Sequence, residues 1–167
     1  MPYIKQNDRK KFEDSLHVFE NFYINCNLKE LSFLIYSLCD IYLNKIGECY
    51  RSYNTIMGVL TCARNEYLRR NNMSLNLRPL VGSIDFNVIL FNDALDAIEE
   101  DELIETEGEL NYLITSICLI YEKSKQPYIL SRTIPDVLSI VANEYYEKEI
   151  ELYENLKIAE NGEVYGK

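Results

Sequence analysis

The chain has 167 residues, 47% of them hydrophobic, and a formal net charge of -10. That length and apolar content suffice to bury a core as one domain or two small ones, while the negative balance disfavours direct nucleic-acid binding or docking on an anionic membrane. The single histidine, His17, and five cysteines outside any CxxC or Cys/His spacing leave no zinc motif to build on.

The opening residues Met1 to Lys11 contain no apolar core suited to a signal peptide, and no apolar run approaches the roughly 18 residues of a membrane helix. A cytoplasmic protein with reduced thiols is expected. Phe12, Leu16 and Phe19 then predict a short first helix. Leu31, Leu34, Ile35, Leu38 and Tyr42 recur at three- and four-residue steps and predict a second. Gly47 interrupts the pattern, and Ile56, Val59, Leu60, Ala63 and Tyr67 predict a third. The helical signal is weakest from Asn71 to Ser83, and we place a linker at residues 76–88. Residues 84–90 read as an extended lead-in, a short strand or the start of a helix.

The pattern then starts again. With an offset of 79, Phe12-Glu13-Asp14-Ser15-Leu16 falls on Phe91-Asn92-Asp93-Ala94-Leu95, and Glu30-Leu31-Ser32-Phe33-Leu34-Ile35 on Glu109-Leu110-Asn111-Tyr112-Leu113-Ile114. With an offset of 78, Thr55-Ile56, Val59-Leu60 and Glu66-Tyr67 fall on Thr133-Ile134, Val137-Leu138 and Glu144-Tyr145. A tandem duplication predicts an all-α fold of two pseudo-equivalent three-helix repeats packed together as a helical bundle, residues 1–75 and 89–167. A protein holding one copy would build the same body as a symmetric dimer. In the second copy Thr133 is the expected N-cap, Pro135 fits the opening turn and Asp136 complements the helix dipole. A helical run through Ile158 should stop at Asn161-Gly162.

The charge follows the duplication. Residues 1–79 sum to +3 and residues 80–167 to -13. The acidic half would steer basic partners, or simply keep a chain with 14 tyrosines in solution.

Several runs together carry a resemblance. They are Met1-Pro2-Tyr3-Ile4, Gly58-Val59-Leu60-Thr61-Cys62-Ala63 through Glu66-Tyr67 to Arg69-Arg70, Gly108-Glu109-Leu110-Asn111-Tyr112-Leu113-Ile114-Thr115, and Glu160-Asn161-Gly162-Glu163-Val164-Tyr165. The chain resembles a family of short, uncharacterised proteins of Firmicutes and their phages, about half its length. Each motif is well kept in one copy only. Copy one has Leu31-Ser32-Phe33 where the pattern has Leu-Asn-Tyr, and copy two has Glu147 and Lys148 near where the paired arginines should stand. The resemblance implies a context and a fold, and no mechanism.

Complementary decay suggests one composite site, with Arg64, Arg69 and Arg70 from copy one and Asn111, Tyr112 and Thr115 from copy two. Arginine forks bind phosphate or carboxylate, while Asn and Tyr add directional hydrogen bonds and a stacking face. The plainer alternative is that Asn111 and Tyr112 fill a helix interface and the arginines decorate a helix end. Glu66 and Glu144 are expected to pair with arginines across the interface. His17 faces Asp96 in the repeat alignment, so a dyad built on it lacks support, and the acidic run Glu99 to Glu109 lacks the punctuation of a calcium loop. The expectation is a non-catalytic binding protein without a cofactor, monomer or homodimer, acting on a protein partner as a regulatory or anti-defence factor. The alternative is sequestration of a small anionic ligand such as a nucleotide signal between the repeats.

Overall fold

The computed structural model describes residues 4–22, 27–71, 91–125 and 133–163. A 3-10 segment, Gln6–Phe12, runs into α1, Glu13–Phe22. Then come α2, Leu28–Ile46, and α3, Tyr50–Arg70. The second copy supplies α4, Asn92–Glu100, α5, Glu107–Ser124, and α6, Thr133–Tyr145. The last helix continues through a π-turn, Tyr146–Ile150, into α7, Glu151–Asn161. The architecture is all-α, with no strand among the described residues. The segment 76–88 and the stretch 84–90 lie outside the described residues.

Local chemistry sets the helix ends. Asn27 caps α2 by accepting from the backbone N–H of Lys29 and Glu30 while Glu30 reaches back to the Asn27 N–H, and Thr106 with Glu109 does the same for α5. Both are capping boxes, which satisfy donors a helix start otherwise leaves open. In copy two Glu109 is nearly buried and also meets Lys11 at 2.6 Å. Burial would raise its carboxyl, but Lys11, the Glu105 N–H and the Thr106 hydroxyl outweigh this and hold it below the usual range. Gly47 and Gly162 end α2 and α7 at φ +80° and +89°, the left-handed region that glycine enters without a Cβ clash. The α6 helix is described from Thr133, the first described residue of this stretch, with Asp136 in its first turn.

The apolar faces join one core, and they meet mainly between the copies. The principal pairings are α3 with α6, α2 with α6, α3 with α5, and α2 with α5. The short helices cross over as well, α1 onto α5 and α4 onto α2. Val59 meets Asn111, while Tyr67 further along α3 faces Cys118 and Glu122 further along α5, so these helices run in the same sense. The pseudo-twofold mate of that contact is Tyr145 of α6 facing Cys39 of α2. Cys39 and Cys118 are buried free thiols in both places, and burial pushes the Cys118 thiol up to about 12. Phe12, Phe19, Phe91 and Ile98 seal the ends of the shared core.

Candidate functional site

The composite-site residues are dispersed among several contacts. Arg64 is half-buried on α3 and donates to the Ser139 hydroxyl of α6 at 3.3 Å, a genuine inter-repeat contact. Asn111 is buried, donates weakly to the Val59 carbonyl at 3.5 Å and accepts from the Thr115 hydroxyl at 3.3 Å. These two are brought together inside the α3/α5 interface. Tyr112 turns to the amino-terminal segment, where its ring meets Phe12 at 5.8 Å and the Arg9 guanidinium at 5.5 Å. Arg69 and Arg70 lie exposed at the end of α3 and both close on Glu66 of their own helix, at 2.7 and 2.8 Å. Glu66 and Glu144 are expected from the sequence to pair across the interface, and the ion pairs described for them run along their own helices. Glu66 takes arginines three and four residues along its own helix, and Glu144 takes Lys148 in the same way at 3.9 Å, because that spacing sets side chains over one another without closing a long loop.

A different cluster, unmarked by any motif, lies where α2 meets the π-turn. A π-turn inserts one residue into the helical ladder and re-aims the side chains beyond it. Here it directs Glu149 inward, where its carboxylate accepts from the Tyr36 hydroxyl at 2.6 Å. Tyr36 meets Tyr145 in a tilted contact with ring centroids 5.2 Å apart, and Tyr53 of α3 meets Tyr153 of α7 in the same way at the same separation. Burial and the Glu149 carboxylate push the Tyr36 hydroxyl far up. Burial, then the carboxylates of Glu48 and Glu149, push that of Tyr53 up to about 12. Among the described residues the Tyr145 hydroxyl is buried without a hydrogen-bond partner, whereas the buried hydroxyl of its pseudo-equivalent Tyr67 faces the Glu122 carboxylate.

Asp40 sits one turn beyond Tyr36, half-buried. Burial first, and the charge of Glu149 second, raise its carboxyl from 3.8 to about 7. A folded-state value above the unfolded one means that the native protein keeps this proton between pH 4 and 7 while the unfolded chain releases it. The associated stability is fully present below about pH 4 and is lost as the pH rises through about 7. The full shift corresponds to about 4 kcal/mol, and solvent access to a half-exposed carboxylate reduces it to about 1–2 kcal/mol. Asp40→Asn should therefore stabilise the protein by about 1–2 kcal/mol at pH 8 and leave it little changed at pH 4. Urea unfolding of both proteins at the two pH values measures this, and an equal difference at each would remove Asp40 as the cause.

The same helix is bare on its outer side. No residue of α7 is buried, and Leu152 and Leu156 are 62% and 64% exposed, one turn apart. Glu151, Glu154 and Glu160 flank them with Lys157 as the one basic residue.

The family described as Domain of unknown function (DUF6899) matches residues 1–75 and 89–164. The chain belongs to this family. The two matched segments coincide with the two sets of helices that interlock in the fold. No curated protein and no solved structure gives a significant match. The Tyr36, Asp40, Tyr145 and Glu149 cluster had one trace in the sequence, a difference between copies: Tyr36 aligns with Thr115, Asp40 with Leu119 and Glu149 with Asn71, so neither carboxylate has a counterpart at its aligned position, and the Tyr67 side holds Glu122 instead.

Proposed function

We propose that this member of the family is a non-catalytic binding protein that engages a basic partner protein through α7. The supporting observation is a surface helix with no buried residue that displays Leu152 and Leu156 between glutamates. Exposed leucines at this spacing supply the apolar stripe by which one helix lays onto another surface. The acidic rim selects a partner of opposite charge and disfavours a second copy of the same helix. The motif resemblance supports a place in a Firmicutes bacterium or its phage, as a cytoplasmic regulatory or anti-defence factor. No described helix is long and apolar enough to cross a membrane.

Affinity capture from bacterial lysate at low salt, followed by cross-linking mass spectrometry, tests the reading. The expected result is a basic protein cross-linked through Lys148 or Lys157, released steeply by salt and not captured by the Leu152→Glu, Leu156→Glu double variant. Equal capture by that variant would end the proposal. A nucleotide-sized mass retained in the native mass spectrum would instead direct attention to an anionic ligand between the repeats.

A further inference from the structure

Among the described residues, no ion pair answers the carboxylates on the inner side of the π-turn. Glu149 is bound to the Tyr36 hydroxyl, and among the described residues Asp40 has neither a hydrogen bond nor an ion pair. Close beside them the fully buried Tyr145 points a hydroxyl without a partner at the same spot, faced by Cys39, Asp40, Glu149 and Tyr36. Glu48 adds a third carboxylate, beside Tyr53. Burial and the neighbouring Glu149 charge disfavour ionisation of Asp40, and a bound cation removes that penalty. The neighbouring rings form the tilted pairs Tyr36–Tyr145 and Tyr53–Tyr153, and tyrosine faces attract ammonium and guanidinium groups. A hard metal ion would ask for a fuller shell of oxygen ligands than this, and among the described residues no group of three or more His, Cys, Asp or Glu is placed to hold one.

We propose that this cluster binds an organic cation, an alkylammonium or guanidinium group, with its charge at the half-exposed Asp40 and Glu149 and its carbon chain against the half-exposed Tyr153 ring. The cation is either a free small molecule or the end of a basic side chain presented by a partner. The inference does not rest on the α7 leucines: Asp40, Glu149 and Tyr145 all lie outside that helix. It is also specific to one half of the molecule. The pseudo-equivalent place is built from Thr115, Leu119, Tyr67 and Asn71 and has no carboxylate at the aligned positions.

Binding is coupled to protons because the cation takes the place of the proton on Asp40. The groups facing Asp40 and Glu149 are Tyr36 and Cys39 of α2, Tyr53 of α3, Glu48 of the α2–α3 loop, Tyr145 of α6 and Tyr153 of α7, and none of them is basic.

Isothermal titration of the full chain with agmatine, spermidine and the peptide acetyl-Gly-Arg-Gly-amide is the test. Wild-type protein should bind at least one of them about tenfold more tightly at pH 8 than at pH 6, one pH-unit equivalent of proton release. Asp40→Asn and Glu149→Gln should each lose about tenfold or more at pH 8, whereas Glu99→Gln on α4 should bind as wild type. Glutamine at position 149 keeps an acceptor for Tyr36, so this variant still reads the charge should the asparagine variant fail to fold. Binding of agmatine or spermidine identifies a free cation as a sufficient ligand, and binding of the peptide alone identifies a partner's side chain. Absence of binding by all three probes, or equal affinity in wild type and both cluster variants, or an equal loss in Glu99→Gln, would overturn the proposal.

Discussion

Residues 1–75 and 89–167, produced separately, should give no folded monomer, and mixing them should restore the native helical signal and a single 1:1 complex. Each copy has three helices, but the faces that α3 and α6 bury are turned toward the opposite copy. Within copy one the principal long-helix contact is α2 with α3, while α1 lies on α5 and α4 lies on α2. A half-chain would thus expose Leu34, Ile35 and Ile56, or Leu113, Ile114 and Val141, all fully buried in the whole. A domain of this half-size is already marginal because its surface is large for its volume, and opening its core exceeds the net stability of about 5–15 kcal/mol. Each half retains the option of pairing with itself, which would show as folding that depends on protein concentration. Circular dichroism and sizing across a dilution series separate the outcomes. Cooperative, concentration-independent unfolding of either half alone would refute the shared core.

Replacing Tyr145 should move stability in opposite directions according to what is removed. Tyr145→Ala takes away a ring that is 0% exposed and packed 5.2 Å from Tyr36. Deleting an aromatic side chain from a core costs about 3–5 kcal/mol, since the cavity collapses only in part. Tyr145→Phe leaves the ring and removes a buried hydroxyl that has no partner among the described residues. Relieving an unsatisfied polar group of this kind gains about 1–2 kcal/mol. Tyr67→Phe, its pseudo-twofold mate, should gain less or lose stability, because the Glu122 carboxylate faces that hydroxyl. The two differ in binding, because only the hydroxyl at 145 faces Asp40 and Glu149. Denaturant midpoints of the three variants measure the stabilities. A destabilising phenylalanine at 145 would mean that the hydroxyl has a partner after all.

Much of this molecule could be read along the chain because the signals are local. The offsets of 79 and 78 revealed the duplication, the recurrence of Leu31, Leu34, Ile35 and Leu38 gave a helix with its buried face, and Gly47 and Asn161-Gly162 marked helix ends that the backbone confirms. The candidate site was less legible. Arg64, Asn111 and Thr115 do stand at the inter-repeat interface, but Arg69 and Arg70 close on Glu66, since an ion pair within one turn forms without ordering a distant partner. Tyr36 and Glu149 are 113 positions apart in sequence and share no motif, so no periodicity or spacing could join them.

The sequence by itself determined helix content, the repeat, the cap residues and which face of each helix turns inward, because side-chain period and capping depend on neighbours within a turn or two. Tertiary structure alone decided that those faces pair across the copies, that a π-turn aims Glu149 at Tyr36, and that Asp40 and the Tyr145 hydroxyl are enclosed without partners. Such outcomes depend on which apolar surfaces exclude water together, and burial acts without regard to distance along the chain.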